Sequence, residues 1–137
     1  MAVIDATGSV LGRLASVVAK RLLEGEEIVV VNAEHAVISG GRVSVFNEYK
    51  VIRDIGSQMS GPFFPRMPDK IVTRTIRGMI PYQKPRGREA FKRLRVYIGV
   101  PDAYAESSLE RIEEALGKLT CQYTKVGDLS RKLGAKF

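Results

Sequence analysis

The order of apolar and polar residues predicts that the chain begins as a strand, a helix and a second strand. Residues 2–5 form a short apolar run, after which apolar positions recur at helical spacing from Leu11 to Leu22. Gly25 ends the predicted helix, and residues 28–31 form a β-branched, continuously apolar run of the kind buried on both faces in parallel sheets. Because a helix connects the two runs, we expect the first two strands to be parallel.

Further along the chain, the pattern predicts two more strands and five more helices, as is typical of the α/β class. Strands at residues 36–39 and 96–100 bring the expected sheet to about four strands. Helices are expected at residues 43–55, 69–78, 88–95 and 128–133, with Asp69 as the N-cap of the second of these. A capping box of Ser107 and Glu110 predicts one more helix, whose apolar side carries Leu109, Ile112, Leu116 and Leu119.

Two of these helices divide into an apolar and a cationic face. In the first, the cationic arc of Lys70, Arg74 and Arg77 lies opposite Val72, Ile76 and Met79. In the second, Arg88, Lys92 and Arg95 lie opposite Ala90, Phe91 and Leu94. Before them, residues 56–69 lose all periodicity among Gly, Ser and Pro, and this length is typical of a functional, extended arm.

Length and composition limit the class of protein. The chain has 137 residues, of which 45% are apolar and 27% charged, so it can bury a core, and we expect one domain over residues 1–137. Its longest aliphatic run, residues 28–31, is far shorter than the ~20 residues that span a bilayer, and its first residues lack a signal-peptide pattern. We therefore expect no membrane partner and no export. The single cysteine, Cys121, suits the reducing cytoplasm.

The net charge of +7 is concentrated in one segment. Residues 66–95 contain ten basic and two acidic residues, a net charge of +8, whereas the rest of the chain sums to −1. This asymmetry is typical of a surface that contacts a polyanion, and an ordinary solvated charged face is the alternative. The ten basic residues are our candidate RNA-binding positions: Arg66, Lys70, Arg74, Arg77, Lys84, Arg86, Arg88, Lys92, Arg93 and Arg95.

The residue types in this segment favour RNA. Seven of the ten cations are arginines, whose planar donors match phosphate oxygens. Phe63, Phe64 and Tyr82 lie among them and can either stack on unpaired nucleotides or pack the arm onto the domain. Since no DNA-binding motif occurs, an RNA-binding segment over about residues 56–95 is the better interpretation.

Other candidate chemistry is sparse. The turn from Gly8 to Gly12 can bind a nucleotide phosphate at a helix N-terminus, but it matches neither dinucleotide nor P-loop spacing, so a turn glycine and a helix-packing glycine are the alternative. We interpret His35 as a capping or packing residue and Cys121 as an inert buried thiol. The acids Glu110, Glu113 and Glu114 fit a solvated face. With no metal-ligand spacing either, we expect no catalytic residue, metal, cofactor or small-molecule substrate.

Two blocks of residues carry a resemblance to a known family. The first comprises residues 5–8, 11–16 and 30–34, and the second comprises residues 61–63, Arg66, Pro68, residues 74–81 and residues 86–87. The likeness extends through Leu94, Val96 and residues 99–101, and its most specific part is Arg-Gly-Met-Ile-Pro at residues 77–81. These blocks resemble the large-subunit ribosomal protein thirteen family. The start of the chain close to Asp5 resembles the archaeal form rather than the bacterial one.

The resemblance implies a three-layer α/β/α domain with a small, mainly parallel sheet. It also implies a non-catalytic, rRNA-binding structural constituent of the large ribosomal subunit, in the cytoplasm, with large-subunit rRNA and neighbouring ribosomal proteins as partners. The family pattern places the RNA surface on Arg66, Arg74, Arg77, Arg86 and Arg88, and the charge distribution adds the other five cations. The competing hypotheses are a small nucleotide-dependent enzyme that uses the Gly8 turn and an RNA-binding regulator outside the ribosome.

Overall fold

The fold begins with two parallel strands joined by a helix, as the sequence predicts. The structure is a computed structural model that describes residues 2–54, 65–112, 115 and 122–137. In these residues the elements are β1 (Ala2–Asp5), α1 (Leu11–Leu23), β2 (Ile28–Val31), β3 (Val37–Ser39), α2 (Arg42–Asp54), α3 (Pro68–Gly78), α4 (Pro85–Lys92), β4 (Leu94–Val96), β5 (Tyr123–Lys125) and α5 (Val126–Lys132). β2 lies between β1 and β4 and pairs in parallel with both, which confirms the α/β class.

Helices α1 and α3 cover one face of this sheet and form the main core. Both are amphipathic, so the apolar side of each is buried against the strands while the charged side faces outward. The fully buried side chains of this core include Ile4, Leu14, Leu22, Ile28, Ile71 and Ile76. The opposite face of the sheet carries Val3, Val29 and Val31, which pack against Tyr97 and Tyr104. β2 is therefore buried on both faces, as its uninterrupted apolar run predicts.

The third predicted strand exists but pairs elsewhere. β3 is antiparallel to β5, a strand that the sequence pattern did not reveal, and the two form a separate ribbon. A left-handed backbone at Asn32 and a short 3-10 turn over Ala33–His35 lead the chain away from the parallel sheet before β3 begins. Among the described residues, the sheet thus has three strands and the ribbon two, instead of about four strands in one sheet.

The two cationic helices differ from the prediction at their ends. α3 begins at Pro68 with Met67 as its N-cap, so Asp69 lies inside the first turn, because proline is favoured at the first helical position. Met79 follows the last helical residue and is exposed, while Ile71 occupies a buried position of the helix instead. α4 ends at Lys92, so neither Leu94 nor Arg95 belongs to it, contrary to the predicted face.

The strand after α4 begins two residues earlier than predicted. β4 spans Leu94–Val96 rather than residues 96–100, because Leu94 is buried opposite Ile28 in the parallel pairing. The chain leaves the sheet at Tyr97 and turns at Gly99, whose φ is +66°. Arg95 is consequently a strand residue whose side chain alternates outward between two inward neighbours.

The predicted capping box at Ser107 and Glu110 is wrong. Glu110 forms a parallel bridge with Ile4, in which the Glu110 N–H donates to the Val3 carbonyl at 2.8 Å and the Asp5 N–H donates to the Glu110 carbonyl at 2.9 Å. The outer edge of β1 would otherwise leave these polar groups without a strand partner. Arg21 then holds the Glu110 carboxylate at 2.9 Å, which fastens the segment to α1.

Several predicted features fall on residues outside the described ranges. These are Phe63, Phe64 and most of the arm, together with Glu113, Glu114, Leu116, Leu119 and Cys121. The last predicted helix is α5, which starts at Val126 rather than residue 128 and is followed by Gly134 with a φ of +99°. α5 packs against both α2 and α3, and so brings the end of the chain beside the basic segment.

Candidate nucleic-acid interface

The ten predicted cations are divided among α3, α4, the start of β4 and the segment before α3. Lys70, Arg74 and Arg77 meet on the outer side of α3, while Lys84, Arg86 and Arg88 are exposed at the beginning of α4. Lys92, Arg93 and Arg95 lie at the other end of α4, around the start of β4. Arg66 stands apart from these groups, next to the end of α5.

The first group lines an open cleft of about 260 Å³, which we call the α3 cleft. Its lining residues are Pro65, Lys70, Thr73, Arg74, Arg77 and Phe91. The three cations are at helical spacings of four and three residues, so α3 presents them in one row while Val72 and Ile76 face the core. No carboxylate is among the described residues that line this cleft. The arrangement therefore concentrates positive charge where an anion can enter.

Phe91 is the aromatic residue among the described lining of the α3 cleft, and its ring packs against Tyr82. The rings of Tyr82 and Phe91 meet edge to face, with centroids 5.4 Å apart and planes at 83°. The guanidinium carbon of Arg77 lies 5.1 Å from the centre of the Tyr82 ring. This cation–π contact orients Arg77 beside the cleft. The N–H donors of Arg77 lie in the plane of the guanidinium group and can still form hydrogen bonds.

The turn before α4 requires glycine at position 87. A Cβ added at Gly87 would clash with the carbonyl oxygen of Pro81, so α4 can approach the turn closely only when this side chain is absent. Pro85 at the start of the helix and Gly87 in its first turn thus position the exposed Arg86 and Arg88 next to the Pro81 turn. This packing explains the glycine of the Arg-Gly pair at residues 86–87.

The group of Lys92, Arg93 and Arg95 lines a different cleft, which we call the β4 cleft and which also has a volume of about 260 Å³. Its lining residues are Glu27, Ile28, Val29, Lys92, Arg93, Arg95 and Tyr104. Here Arg93 donates from Nη2 to the Leu22 carbonyl at the end of α1, at 2.6 Å, and Arg95 donates from Nη1 to the Leu94 carbonyl at 3.2 Å. The Arg93 guanidinium therefore binds the end of α1, and the Arg95 guanidinium binds the neighbouring backbone of β4.

Acidic groups accompany the cations of the β4 cleft. Glu27 lines the cleft itself, and its neighbour Glu26 pairs with Arg21 at 2.6 Å. The hydrogen bond from Arg21 lowers the pKa of Glu26, so this carboxylate is charged at neutral pH, and hydrogen bonds to Glu26 and Glu110 raise the pKa of Arg21. With Glu27 beside its three cations, the β4 cleft has a smaller net positive charge among its described lining residues than the α3 cleft.

Comparison with known proteins shows which family the chain belongs to. The family model described as ribosomal protein L13 matches residues 1–103, which include all ten cations, the α3 cleft and the lining of the β4 cleft except Tyr104. The chain belongs to the ribosomal protein L13 family. Large ribosomal subunit protein uL13 of Methanococcoides burtonii is 52% identical over 139 residues, and that of Methanocaldococcus jannaschii is 50% identical over 141 residues, each with both chains fully covered. The corresponding protein of Archaeoglobus fulgidus is 52% identical and covers 96% of this chain and 86% of its own length.

Membership of the L13 family confirms the resemblance read from the two sequence blocks. It implies a structural constituent of the large ribosomal subunit without enzymatic activity, which in archaea is cytoplasmic and located in the ribosome. The family model ends at residue 103, whereas the relatives align with the rest of the chain as well. The later part of this L13-family chain is therefore shared with its archaeal relatives too.

The Gly8 turn of this L13-family chain does not resemble a phosphate cradle. Gly8 has a φ of +74°, as a turn glycine requires, and the backbone N–H groups of residues 8, 9 and 10 already donate to the carbonyls of His35, Ala6 and Ala115. A phosphate site would need such N–H groups to be available. Gly12 is exposed, and a Cβ added there would meet no atom within 4 Å, so its predicted role in helix packing is wrong.

The turn is instead stabilised by Asp5. Its carboxylate accepts hydrogen bonds from the Thr7 N–H at 3.0 Å, the Thr7 hydroxyl at 2.7 Å and the Asn32 amide at 3.0 Å. Burial raises the pKa of Asp5, but these bonds and the nearby Arg111 outweigh it, so the pKa is lowered.

His35 is half-exposed beside Glu34, at 3.2 Å, rather than packed in the core. Across the described ranges, no helix has the length and apolar character needed to cross a membrane.

Sequence reasoning missed the cations at the end of the chain. Residues 122–137 contain four basic residues and one acidic residue. The net charge of −1 for all residues outside 66–95 includes this segment and so conceals its positive charge. A Cβ added at Gly134 would lie 3.3 Å from Nη1 of Arg66, so Arg66 faces this region. Arg131 and Lys132 lie over the rings of Phe137 and Phe46, at 4.7 and 5.9 Å from the ring centres. The basic surface thus extends beyond the segment that the sequence singled out.

Proposed function

We propose that this chain binds and organises large-subunit rRNA as a non-catalytic clamp, anchored at the α3 cleft. The observation that carries the proposal is the gathering of Lys70, Arg74 and Arg77 around one cleft without a carboxylate among its described lining residues. Helix cations arranged in this way neutralise closely spaced phosphates and release counterions, which drives nucleic-acid binding. Membership of a ribosomal family supports rRNA as the polyanion.

The other cations extend the clamp to separate RNA segments. Lys84, Arg86 and Arg88 project from the start of α4, and Arg66 lies near the end of α5, so each group can contact a different stretch of backbone. Lys92 and Arg95 add positive charge at the β4 cleft, while Arg93 contributes mainly by holding α1. The arm predicted over residues 56–69 enters the proposal through Pro65 and Arg66, its described end.

The partners we propose are large-subunit rRNA and neighbouring large-subunit proteins. The relatives named above are large ribosomal subunit proteins, and the chain aligns with two of them over its full length. Sedimentation of a cell lysate separates this proposal from an RNA-binding regulator outside the ribosome. We expect the chain to co-migrate with the large subunit in stoichiometric amount, whereas a regulator would remain mostly in lighter fractions.

The salt dependence of binding tests the clamp directly. If about six cations touch phosphates, the plot of log affinity against log salt concentration for large-subunit rRNA fragments should have a slope of about −4 to −5. The double variant Lys70→Gln/Arg77→Gln should bind more weakly and have a slope shallower by about 2, since each lost phosphate contact removes about one unit.

A matched double variant controls for the change in total charge. Lys20→Gln/Lys50→Gln removes two exposed cations from α1 and α2, neither of which lines the α3 cleft or the β4 cleft, and should leave the slope nearly unchanged. A wild-type slope near zero would refute phosphate neutralisation. Equal losses in the two double variants would show that net charge, and not the α3 cleft, determines affinity.

A further inference from the structure

The α3 cleft has a feature that phosphate neutralisation does not explain. One wall is the cationic row of α3, but the other wall is the half-buried ring of Phe91, supported edge to face by Tyr82. Phosphate oxygens gain nothing from an aromatic wall, whereas nucleobases stack on one with a substantial gain in affinity. The cleft thus combines the two surfaces that a nucleotide presents, a flat apolar base and a charged phosphate.

The size and polar lining of the cleft fit a single nucleotide unit. Its volume of about 260 Å³ lies just below the range of about 300–1,000 Å³ typical of sites that enclose whole small molecules. The hydroxyl of Thr73 donates to the Asp69 carbonyl at 2.7 Å, so it faces the cleft as a hydrogen-bond acceptor. A base has N–H groups that such an acceptor can bind, whereas a phosphate diester has none.

We propose that the α3 cleft receives one unstacked RNA nucleotide, with its base against Phe91 and its flanking phosphates on Lys70 and Arg77. The inference rests on the proposed rRNA-binding function and adds a specific class of RNA feature to it. In a regular A-form duplex the bases remain stacked inside the helix and only the backbone can touch α3. A bulged or looped-out nucleotide can enter the cleft, so the protein selects irregular RNA over continuous duplex.

Binding to two matched RNAs tests the proposal. One is a fluorescein-labelled 12-base-pair RNA duplex, and the other is the same duplex with a single bulged adenosine. Because base–aromatic stacking contributes about 1–3 kcal/mol per base, we expect the full chain to bind the bulged RNA at least about fivefold more tightly. Equal affinity for the two RNAs would overturn the proposal.

Variants of Phe91 identify the aromatic wall as the cause. Phe91→Leu should reduce the preference for the bulged RNA to about one while keeping its affinity for the plain duplex, and Phe91→Tyr should restore the preference. Because Phe91 also packs against the core, thermal unfolding of each variant is measured in parallel. A preference that survives in a folded Phe91→Leu protein would overturn the proposal.

A crosslink on the unaltered chain gives an independent measurement. A photoreactive 4-thiouridine replaces the bulged adenosine, and the crosslinked residue is located by mass spectrometry. We expect the crosslink at Phe91 or a neighbouring residue of the α3 cleft, and a crosslink elsewhere would overturn the proposal. Failure of the clamp itself has a different signature, because neither RNA would then bind with a steep dependence on salt.

Discussion

The α3 cleft and the β4 cleft have the same volume of about 260 Å³ and the same number of cations, yet their surroundings differ. Each cleft has one aromatic lining residue, Phe91 or Tyr104, but the α3 cleft also has the Thr73 hydroxyl and no carboxylate among its described lining residues. At the β4 cleft a carboxylate is part of the lining, and two arginines donate to backbone carbonyls. We therefore expect the capacity of a basic segment for anions to depend on what lies beside each cation, more than on how many cations it contains.

The two outcomes follow from the elements that carry the cations. α3 is an amphipathic helix, so cations spaced by four and three residues emerge together on the face opposite the buried Ile76. β4 is a three-residue strand, which sends only Arg95 outward between two inward apolar residues. Arg93 occupies the C-cap of α4, where it reaches the end of α1.

Reversing the charges of each cleft should produce the largest difference between them. We expect Lys70→Glu/Arg77→Glu to weaken binding to large-subunit rRNA fragments by on the order of 100-fold, because phosphates then meet carboxylates at the anchor of the clamp. The matched reversal Lys92→Glu/Arg95→Glu should weaken it by less than about tenfold. Fluorescence anisotropy at fixed salt measures both affinities.

The two double reversals change the net charge equally, so any difference between them comes from position. Circular dichroism should show that both proteins are folded, since all four side chains lie outside the buried core. If the β4 reversal weakens binding as much as the α3 reversal, the two clefts are equivalent in function despite their different linings.

The next largest effect concerns stability rather than binding. Arg93→Met keeps the apolar stem of the side chain but removes the charged group that donates to the Leu22 carbonyl. That hydrogen bond is 2.6 Å long and lies at the C-terminal end of α1. Bonds to charged groups contribute about 1.5–3 kcal/mol, and Arg93 is partly exposed, so we expect a loss of about 1.5 kcal/mol in the free energy of unfolding. Urea denaturation measures this loss.

The same experiment on the other cleft sharpens the contrast. Arg77→Met should change the free energy of unfolding by less than about 0.5 kcal/mol, as is usual for surface positions, while lowering affinity for RNA. If Arg93→Met is as stable as the unaltered protein and binds RNA as weakly as Arg77→Met, then Arg93 is a contact residue and its bond to α1 is incidental.

The features that sequence predicted correctly depend on short-range periodicity. α1, α3 and the buried run of β2 each contain their own pattern, because a helix or a strand between two layers displays its burial every few residues. The cationic row at Lys70, Arg74 and Arg77 was readable for the same reason. The Arg-Gly-Met-Ile-Pro element added the family, which periodicity alone does not identify.

The features that sequence did not reveal depend on contacts between distant parts of the chain. Helical spacing predicts that Arg95 shares a face with Arg88, but α4 ends before Arg95 because Leu94 is buried against Ile28 in the sheet. Glu110 fitted a capping box, but the open edge of β1 binds its backbone instead. Arg93 donates to a carbonyl 71 residues away in the sequence. No local pattern encodes these partners.

The smallest effect we expect is a gain of function at the β4 cleft. Glu27 is exposed and is the carboxylate among the described lining residues there, so Glu27→Gln removes the negative charge without removing a buried contact. Affinity for large-subunit rRNA fragments should be about twofold higher than that of the unaltered protein at low salt, and this ratio should fall towards one as salt rises, because the Debye length shortens to only about 3 Å at 1 M. Glu48→Gln on α2 makes the same charge change away from both clefts and should leave affinity unchanged. If Glu27→Gln also leaves affinity unchanged, the carboxylate does not distinguish the two clefts, and the bonds that hold Arg93 and Arg95 to the backbone are sufficient to do so.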